Sequence, residues 1–339
     1  MTLYWENEFG QLYLGKAEDI LPTLPLDLVD MTFTSPSYWM ARKYLADDEL
    51  GQESDYRDYI TNLCNIFSEV KRVTKPTGSL FVNIGDKYFN RSAGSGGKNL
   101  KQNTNPNSFF ESKKIVPLMP DGSLMNIPNR FAIKMVDDYN WIQKHLIIWY
   151  KRNAFTTSNK KKFTLDFEPI LHFVLDTKAY YFQQQFEPFK QSSKDHYKDV
   201  MRRNDKGLKE PYKENAPRAS RYKHDQVRVT SMPSPNRMWD DKESLERQLE
   251  LGRNKRSVWD IPVSTSRNIN HIAMFPEKLP EVPILACCPE KFGVVLDPFI
   301  GSGTVAVVAE KLGRRWIGIE ASEEYCEQAV ERIRNERRN

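Results

Sequence analysis

A turn that contains two glycines, near the C-terminal end of the chain, has the residue types that bring backbone close to a ligand. Residues 297–304 read Asp-Pro-Phe-Ile-Gly-Ser-Gly-Thr, between an apolar stretch that predicts a strand and a segment that predicts a helix. Gly301 and Gly303 permit a tight turn, and the start of a helix offers free N–H groups. Glu320 falls at the end of the next predicted strand, where a carboxylate can accept both hydroxyls of a ribose.

The residues of this turn restrict which ligand it fits. Phosphate-binding turns need Gly-x-Gly-x-x-Gly, or two glycines with four residues between them followed by Lys and Ser or Thr, and this turn has neither pattern. It is compatible with an ordinary tight turn. As a binding turn it favours a nucleoside without phosphates over a dinucleotide, and S-adenosylmethionine is such a nucleoside.

A second unusual turn, Ser35-Pro36-Ser37-Tyr38, directly follows a predicted apolar strand at 28–34. An amine on an aromatic ring is a poor nucleophile because its lone pair is delocalised into the ring. Acceptors beside its N–H groups, such as the Ser35 hydroxyl and the Pro36 carbonyl, can localise that pair, and proline holds the carbonyl rigid. Tyr38 can stack on a base turned out of a duplex. An ordinary strand-to-loop turn is the alternative explanation.

The elements around these turns predict a doubly wound, mostly parallel α/β sheet with an inserted region. Strands are predicted at 11–15, 28–34, 79–84, 145–150, 168–174, 179–182, 294–296 and 316–319, the fifth and sixth as a hairpin. Helices are predicted at 17–24, 55–73, 128–139, from the glycine turn to Leu312, and after Ser322. In such sheets ligands bind where strands end, so both turns should lie at one edge.

Composition and charge indicate the general class of protein. The chain has 339 residues, 39% hydrophobic and 28% charged, with a formal net charge of +5. We expect a cytoplasmic protein without a membrane-spanning segment or a structural metal, and with its four cysteines reduced. Residues 87–114 hold six Lys/Arg against one Glu and predict a mobile basic loop. Residues 186–256 hold eighteen Lys/Arg against twelve Asp/Glu.

Together, the two turns and their order resemble the β-group of DNA amino-methyltransferases. In that family a Ser-Pro-Pro-Tyr-like motif comes first, a target-recognition region follows, and the cofactor turn comes last. The segments 126–131, 149–153, 163–168, 180–182, 258–262 and 275–279 are also similar to family segments. The chain departs from the family at Ser37, where proline is frequent, and at Lys16, where aspartate is frequent.

The resemblance implies an S-adenosylmethionine-dependent enzyme of a restriction–modification system. It implies a catalytic half at 1–185, a recognition region at 186–256 and a cofactor half at 257–339. It also implies double-stranded DNA as substrate and a cognate restriction endonuclease as functional partner. The catalytic set would be Ser35, Pro36, Ser37 and Tyr38. The cofactor set would be Phe275, Asp297, Pro298, Phe299, Gly301, Ser302, Gly303, Thr304 and Glu320.

In the family, the residue type at the first position of the catalytic motif correlates with the base that is methylated. Family members with serine there usually methylate cytosine N4, and members with aspartate or asparagine usually methylate adenine N6. Ser35 therefore favours cytosine N4, with adenine N6 as the alternative. A DNA-binding protein without activity and an RNA or protein methyltransferase are further alternatives.

The basic region 186–256 supplies the candidates for DNA contact. Lysines and arginines neutralise phosphates, and arginines can also read base edges in the major groove. A solvated insertion without a partner is the other interpretation of this region. The candidate DNA-binding residues are Arg202, Arg203, Arg218, Arg221, Arg228 and Arg237.

Overall fold

The structure, a computed structural model, describes most of the chain. The described residues are 2–40, 50–89, 119–154, 156, 160–161, 163–195, 198, 247, 249–263 and 275–338. The chain divides into two compact units. The first comprises Met1–Gln183 and Ser257–Asn339, and the second comprises Gln184–Arg256.

The first unit is built on one sheet of nine strands. In chain order these are β1 (Thr2–Glu6), β2 (Gly10–Leu14), β3 (Val29–Thr34), β4 (Thr74–Asn83), β5 (Ile142–Tyr150), β6 (Phe167–Val174), β9 (Val258–Asp260), β10 (Val294–Asp297) and β11 (Arg315–Glu320). Two further strands, β7 (Phe186–Glu187) and β8 (Arg253–Asn254), form a short antiparallel pair in the second unit. The order in the large sheet is β1-β2-β11-β10-β3-β4-β6-β5-β9. The five strands from β2 to β4 in this order are parallel, whereas β1 and β6 run the opposite way. This confirms the predicted fold class.

Helices cover both faces of the sheet, which gives three layers. They are α1 (Ala17–Ile20), α2 (Tyr56–Val73), α3 (Ile127–Asp137), α4 (Lys278–Cys287), α5 (Thr304–Lys311) and α6 (Glu323–Arg338). The first three pack in one apolar cluster against one face, and the last three pack in a second cluster against the other face. Alternate residues of the strands supply both clusters, as the two-residue period of a strand requires: Phe81 faces one cluster, and Leu80 and Val82 face the other.

The longest helix of the first layer, α2, shows how the sequence sets an element. Its apolar residues recur three and four positions apart, so Tyr59, Leu63 and Phe67 all lie on one buried face. Asp55 caps its start by accepting the N–H of Arg57 at 2.8 Å. The helix predicted at 55–73 is therefore confirmed.

The position of β3 beside β10 decides where a ligand can bind. From β3 the chain passes through α2 to β4 on one side, and from β10 it passes through α5 to β11 on the other. The chain thus leaves these two neighbouring strands in opposite directions, which opens a crevice at their carboxyl ends. We call the edge of the sheet where β2, β3, β4, β10 and β11 end the carboxyl edge.

Several details differ from the sequence predictions. Residues 179–182 form no strand, because both edges of β6 are already paired, with β4 and β5. Strand β4 begins at Thr74, so Pro76 and Gly78 lie inside it. The start of the predicted loop at 87 is too early, since Phe89 is buried and its N–H donates to the carbonyl of Ser123. The N-terminal residues Thr2–Glu6, for which no element was predicted, form β1.

Two other observations concern cysteines and membranes. Each of the four cysteines is buried and free of disulfides. Within the described ranges, no helix combines the length and apolar character needed to cross a bilayer.

The contact between Gly318 and Ile300 yields a stability prediction. A Cβ at Gly318 would lie 2.3 Å from Ile300 Cδ1, in a turn whose Ile300 N–H donates to Ile319 at 3.0 Å. We expect Gly318→Ala to lower the free energy of unfolding by about 1–3 kcal/mol, measured by urea titration. Ile300→Val, which removes Cδ1, should recover part of that loss in the double variant. If the changes in unfolding free energy of the two single variants simply add in the double variant, the contact between residues 318 and 300 is not the cause of the loss.

Candidate active site at the carboxyl edge

The two unusual turns meet at the carboxyl edge. Strands β3 and β10 pair in parallel, with Leu296 opposite Thr32. At their ends the Thr34 hydroxyl donates to Asp297 Oδ1 at 2.7 Å, across 263 positions of sequence. The prediction that both turns lie at one edge of the sheet is therefore confirmed.

The glycine turn joins β10 to α5 and has the left-handed backbone that favours glycine. The φ angle is +50° at Gly301 and +80° at Gly303, directly before α5 begins. The Phe299 N–H donates to Asp297 Oδ1 at 3.1 Å, and the turn is further tied to β11 through Ile300. Pro298, Ser302 and Thr304 are buried within it. The turn is therefore held from both flanking strands.

Glu320 lies at the end of β11, beside the turn. Its Oε2 accepts the Gly301 N–H at 2.9 Å, and its Oε1 accepts the Ser322 N–H at 2.9 Å. These bonds orient the carboxylate toward the glycine turn. On the side of the sheet that carries α4, Phe275 packs edge-on against Phe33 with ring centroids 5.4 Å apart. The structure thus brings the predicted cofactor residues of the turn together with Glu320.

Asp297 is the buried carboxyl group of this site. Burial, with a smaller contribution from the nearby Glu320 carboxylate, raises the pKa of Asp297 to about 7. The hydrogen bonds from Thr34 and Phe299 favour the charged form and act in the opposite direction.

The loop after β3 is fixed by contacts from α2 and from residue 53. The Tyr59 hydroxyl donates to the Ser37 carbonyl at 2.9 Å. The buried Trp39 indole donates to the Glu53 carbonyl at 2.8 Å and packs edge-on against Tyr56. These contacts anchor the backbone on both sides of Tyr38, while Pro36 is buried next to β3.

The Tyr38 hydroxyl is the centre of a polar network at the carboxyl edge. It accepts from the Ser35 hydroxyl at 3.2 Å and donates to Glu168 Oε2 at 3.1 Å. Asn83 Oδ1, at the end of β4, lies 3.3 Å from the same hydroxyl. Lys151, next after β5, forms an ion pair with Glu168. Burial, followed by the Glu168 charge, raises the pKa of Tyr38 well above its ordinary value.

The Tyr38 ring itself packs against Gly85. A Cβ at Gly85 would lie 2.6 Å from Tyr38 Cε2, so a side chain there would displace the ring. The Ser35–Tyr38 segment is thus positioned by α2, by β4 and by the residues that follow β4.

Comparison with known families identifies this arrangement. A sequence model of the N6/N4 methyltransferases, described as DNA methylases, matches residues 29–331, a span that includes both turns. The chain belongs to the N6/N4 DNA methylase family.

Individual relatives extend over nearly the whole chain of this DNA methylase. The Type II methyltransferase M.Cfr9I of Citrobacter freundii is 30% identical over 334 residues, covering 97% of this chain and 89% of the relative. M.SmaI of Serratia marcescens is 30% identical over 328 residues, covering 95% and 90%.

Solved structures share the fold of this DNA methylase. The PvuII DNA methyltransferase, described as cytosine-N4-specific, aligns with a TM-score of 0.59 at 16% identity, covering 97% of this chain and 92% of that one. A protein from Thermus thermophilus, solved with S-adenosyl-L-methionine, aligns with a TM-score of 0.53 at 20% identity, covering 96% and 93%. At these identities the likeness establishes the methyltransferase fold.

Three residues of the methylase site were assigned no role in the sequence analysis. Asn83, Lys151 and Glu168 enter the site because β4 and β5 end, and β6 begins, at the carboxyl edge. The sequence could have indicated Asn83, because it is a polar residue at the end of a buried strand. Glu168 gave no such signal, because the reversed direction of β6 appears only in the assembled sheet.

Other predicted site residues lie outside the described residues. These are the six candidate DNA-binding residues, Arg202, Arg203, Arg218, Arg221, Arg228 and Arg237, and positions 90–114 of the predicted basic loop. Within the part of the chain that is described, no group of three or more His, Cys, Asp or Glu side chains could hold a metal ion.

The raised pKa of Asp297 gives a prediction for stability against pH. A carboxyl whose folded pKa exceeds its unfolded value of 3.8 contributes stability that is present at low pH and lost as pH rises toward about 7. We therefore expect the wild type to lose stability relative to Asp297→Asn across pH 4 to 7, by up to about 1.4 kcal/mol per pH unit. Asparagine keeps an oxygen for Thr34 and Phe299. Urea titrations at several pH values would measure this, and a difference independent of pH would contradict it.

Proposed function

We propose that this DNA methylase transfers a methyl group from S-adenosylmethionine to the N4 amine of a cytosine turned out of double-stranded DNA. The observation that carries the proposal is the bond between the ends of the two strands that lead into the turns, in which Thr34 donates to Asp297 at 2.7 Å. Because of it, a turn suited to a nucleoside and a turn suited to an aromatic amine share one crevice.

The residues of the glycine turn fit S-adenosylmethionine. Gly301 has left-handed backbone and carries no side chain, so a ligand can approach the turn closely there. A Cβ at Gly303 would lie 3.2 Å from Ala329 Cβ, so Gly303 instead lets the turn pack against α6. Glu320 would accept the ribose hydroxyls, and Phe275 and Phe299 would contact apolar parts of the ligand. Asp297, Pro298, Ser302 and Thr304 would shape the turn. When bound, S-adenosylmethionine supplies a methyl group on a positively charged sulfur.

The Ser35–Tyr38 segment would hold the target amine. The Ser35 hydroxyl and the Pro36 carbonyl would accept its N–H groups and so localise the lone pair on nitrogen. The Ser37 carbonyl is anchored by Tyr59, which keeps the adjoining Pro36 peptide in place. The Tyr38 ring would stack on the base, a contact worth roughly 1–3 kcal/mol, comparable with the few kcal/mol that flipping costs.

The choice of cytosine N4 rests on Ser35. In the β-group resemblance, serine at this position accompanies cytosine N4, whereas aspartate or asparagine accompanies adenine N6. Both amines need similar acceptors, so the chemistry of the site alone supports either base.

The second unit would recognise the DNA sequence. The region 186–256 carries eighteen Lys/Arg against twelve Asp/Glu, a local excess that favours a phosphate backbone. Arg202, Arg203, Arg218, Arg221, Arg228 and Arg237 are the proposed contacts. The relatives M.Cfr9I and M.SmaI are named Type II methyltransferases, which supports a cytoplasmic restriction–modification role beside a cognate endonuclease.

Product analysis tests the proposed reaction directly. The protein would be incubated with methyl-labelled S-adenosylmethionine and DNA of mixed sequence, and the DNA digested to nucleosides. Label in the nucleoside of N4-methylcytosine is the expected result. Label in the nucleoside of N6-methyladenine would assign the alternative base, and DNA binding without labelled nucleoside would indicate a protein that retains the fold without the activity.

The two turns should respond differently to substitution. Ser35→Ala and Tyr38→Ala remove contacts to the amine and the base, so we expect a fall in turnover of about 100-fold or more with little change in cofactor affinity. Gly301→Leu forces a side chain into left-handed backbone at the glycine turn and should mainly weaken the cofactor complex. Single-turnover rates and calorimetric Kd values measure both effects. Equal loss of cofactor binding in all three variants would refute this division of roles.

A further inference from the structure

A continuous line of hydrogen bonds leads away from the amine-binding position. The Ser35 hydroxyl donates to the Tyr38 hydroxyl at 3.2 Å, and the Tyr38 hydroxyl donates to Glu168 Oε2 at 3.1 Å. Both hydroxyls can accept one proton while they donate another. The line therefore begins at the residue proposed to contact the amine and ends on a carboxylate.

The carboxylate at the end of this line is held in place. Glu168 Oε1 pairs with the Lys151 ammonium group, which also lies 4.6 Å from the centre of the Trp149 ring. The Trp149 indole is fixed in turn by its bond to the Ile261 carbonyl at 2.7 Å. Both side chains of the ion pair are 17% exposed, so a proton on Glu168 can pass on to water.

We propose that Ser35, Tyr38 and Glu168 form a proton path that removes the amine proton during methyl transfer, with Glu168 as the final acceptor. This inference rests on the proposed function, because it needs an amine at Ser35. It holds for either cytosine N4 or adenine N6.

The step balances without a further reactant. The lone pair of the amine nitrogen forms the bond to the methyl carbon, and the electrons of the sulfur–carbon bond stay on sulfur. As this bond forms, one proton leaves the nitrogen for Ser35 Oγ, the Ser35 proton moves to the Tyr38 oxygen, and the Tyr38 proton moves to Glu168 Oε2. The raised pKa of Tyr38 suits this role, since the hydroxyl then stays protonated and donates only as it accepts.

In the proposed path Glu168 takes up a proton, whereas in a structural role it would only orient Tyr38. One substitution distinguishes these two roles. Glu168→Gln keeps an oxygen that can accept the Tyr38 hydroxyl but cannot take up a proton. If the path operates, this variant should slow single turnover by about 100-fold, and Tyr38→Phe, which keeps the ring, should slow it by a similar factor. The double variant should be little slower than either single variant, because both break the same path.

Readouts other than activity exclude a structural cause. Glu168→Gln should bind S-adenosylmethionine and DNA with the wild-type Kd and should keep the wild-type circular dichroism spectrum, while loss of the ion pair with Lys151 lowers its unfolding temperature. Glu69→Gln is the matched control, because Glu69 is also ion-paired, with Arg72 at 2.7 Å, but on helix α2. It should leave turnover unchanged.

The results distinguish failure of the path from failure of the proposed function. A solvent isotope effect on wild-type single turnover that disappears in Glu168→Gln would support the path. An active wild type together with a fully active Glu168→Gln variant would overturn it while leaving the methyl transfer intact. A wild type that methylates no nucleoside would instead overturn the proposed function.

Discussion

The hydrogen bond between Thr34 and Asp297 is the contact on which the site depends. It joins the ends of two strands that are 263 positions apart, and both partners are buried. A buried carboxyl group needs such a donor, because an unsatisfied one would be costly away from water. The same oxygen of Asp297 accepts the Phe299 N–H, so one atom fixes the end of β3 relative to the start of the glycine turn.

Strand direction then determines which other side chains reach the site. Parallel strands bring Asn83 and Glu320 to the carboxyl edge because their carboxyl ends lie there together. The reversed strand β6 contributes its beginning instead, which places Glu168 within hydrogen-bonding distance of Tyr38. The site thus combines residues that end strands with one that starts a strand, and this mixture links the Ser35–Tyr38 loop to an ion-paired carboxylate.

Local patterns predicted much of the framework. The apolar spacing of three and four positions predicted α2, and the glycines and flanking apolar runs predicted β10, its turn, α5 and β11. The predicted hairpin at 179–182 was wrong because pairing is a property of the whole sheet, and β6 had no free edge. The predicted start of the basic loop at residue 87 was also wrong. The sequence around Phe89 is polar, but the Phe89 ring itself is buried.

The sequence by itself determined most of the helices and strands, the two turns and their order, because helix periodicity, glycine backbone and proline rigidity act over a few neighbouring residues. Only the tertiary structure decided that Tyr38 shares its hydroxyl with Ser35 and Glu168, that Glu168 pairs with Lys151, and that Asp297 is buried against Thr34. These contacts depend on strand order and direction, which bring together residues far apart in the chain. No local pattern records that arrangement.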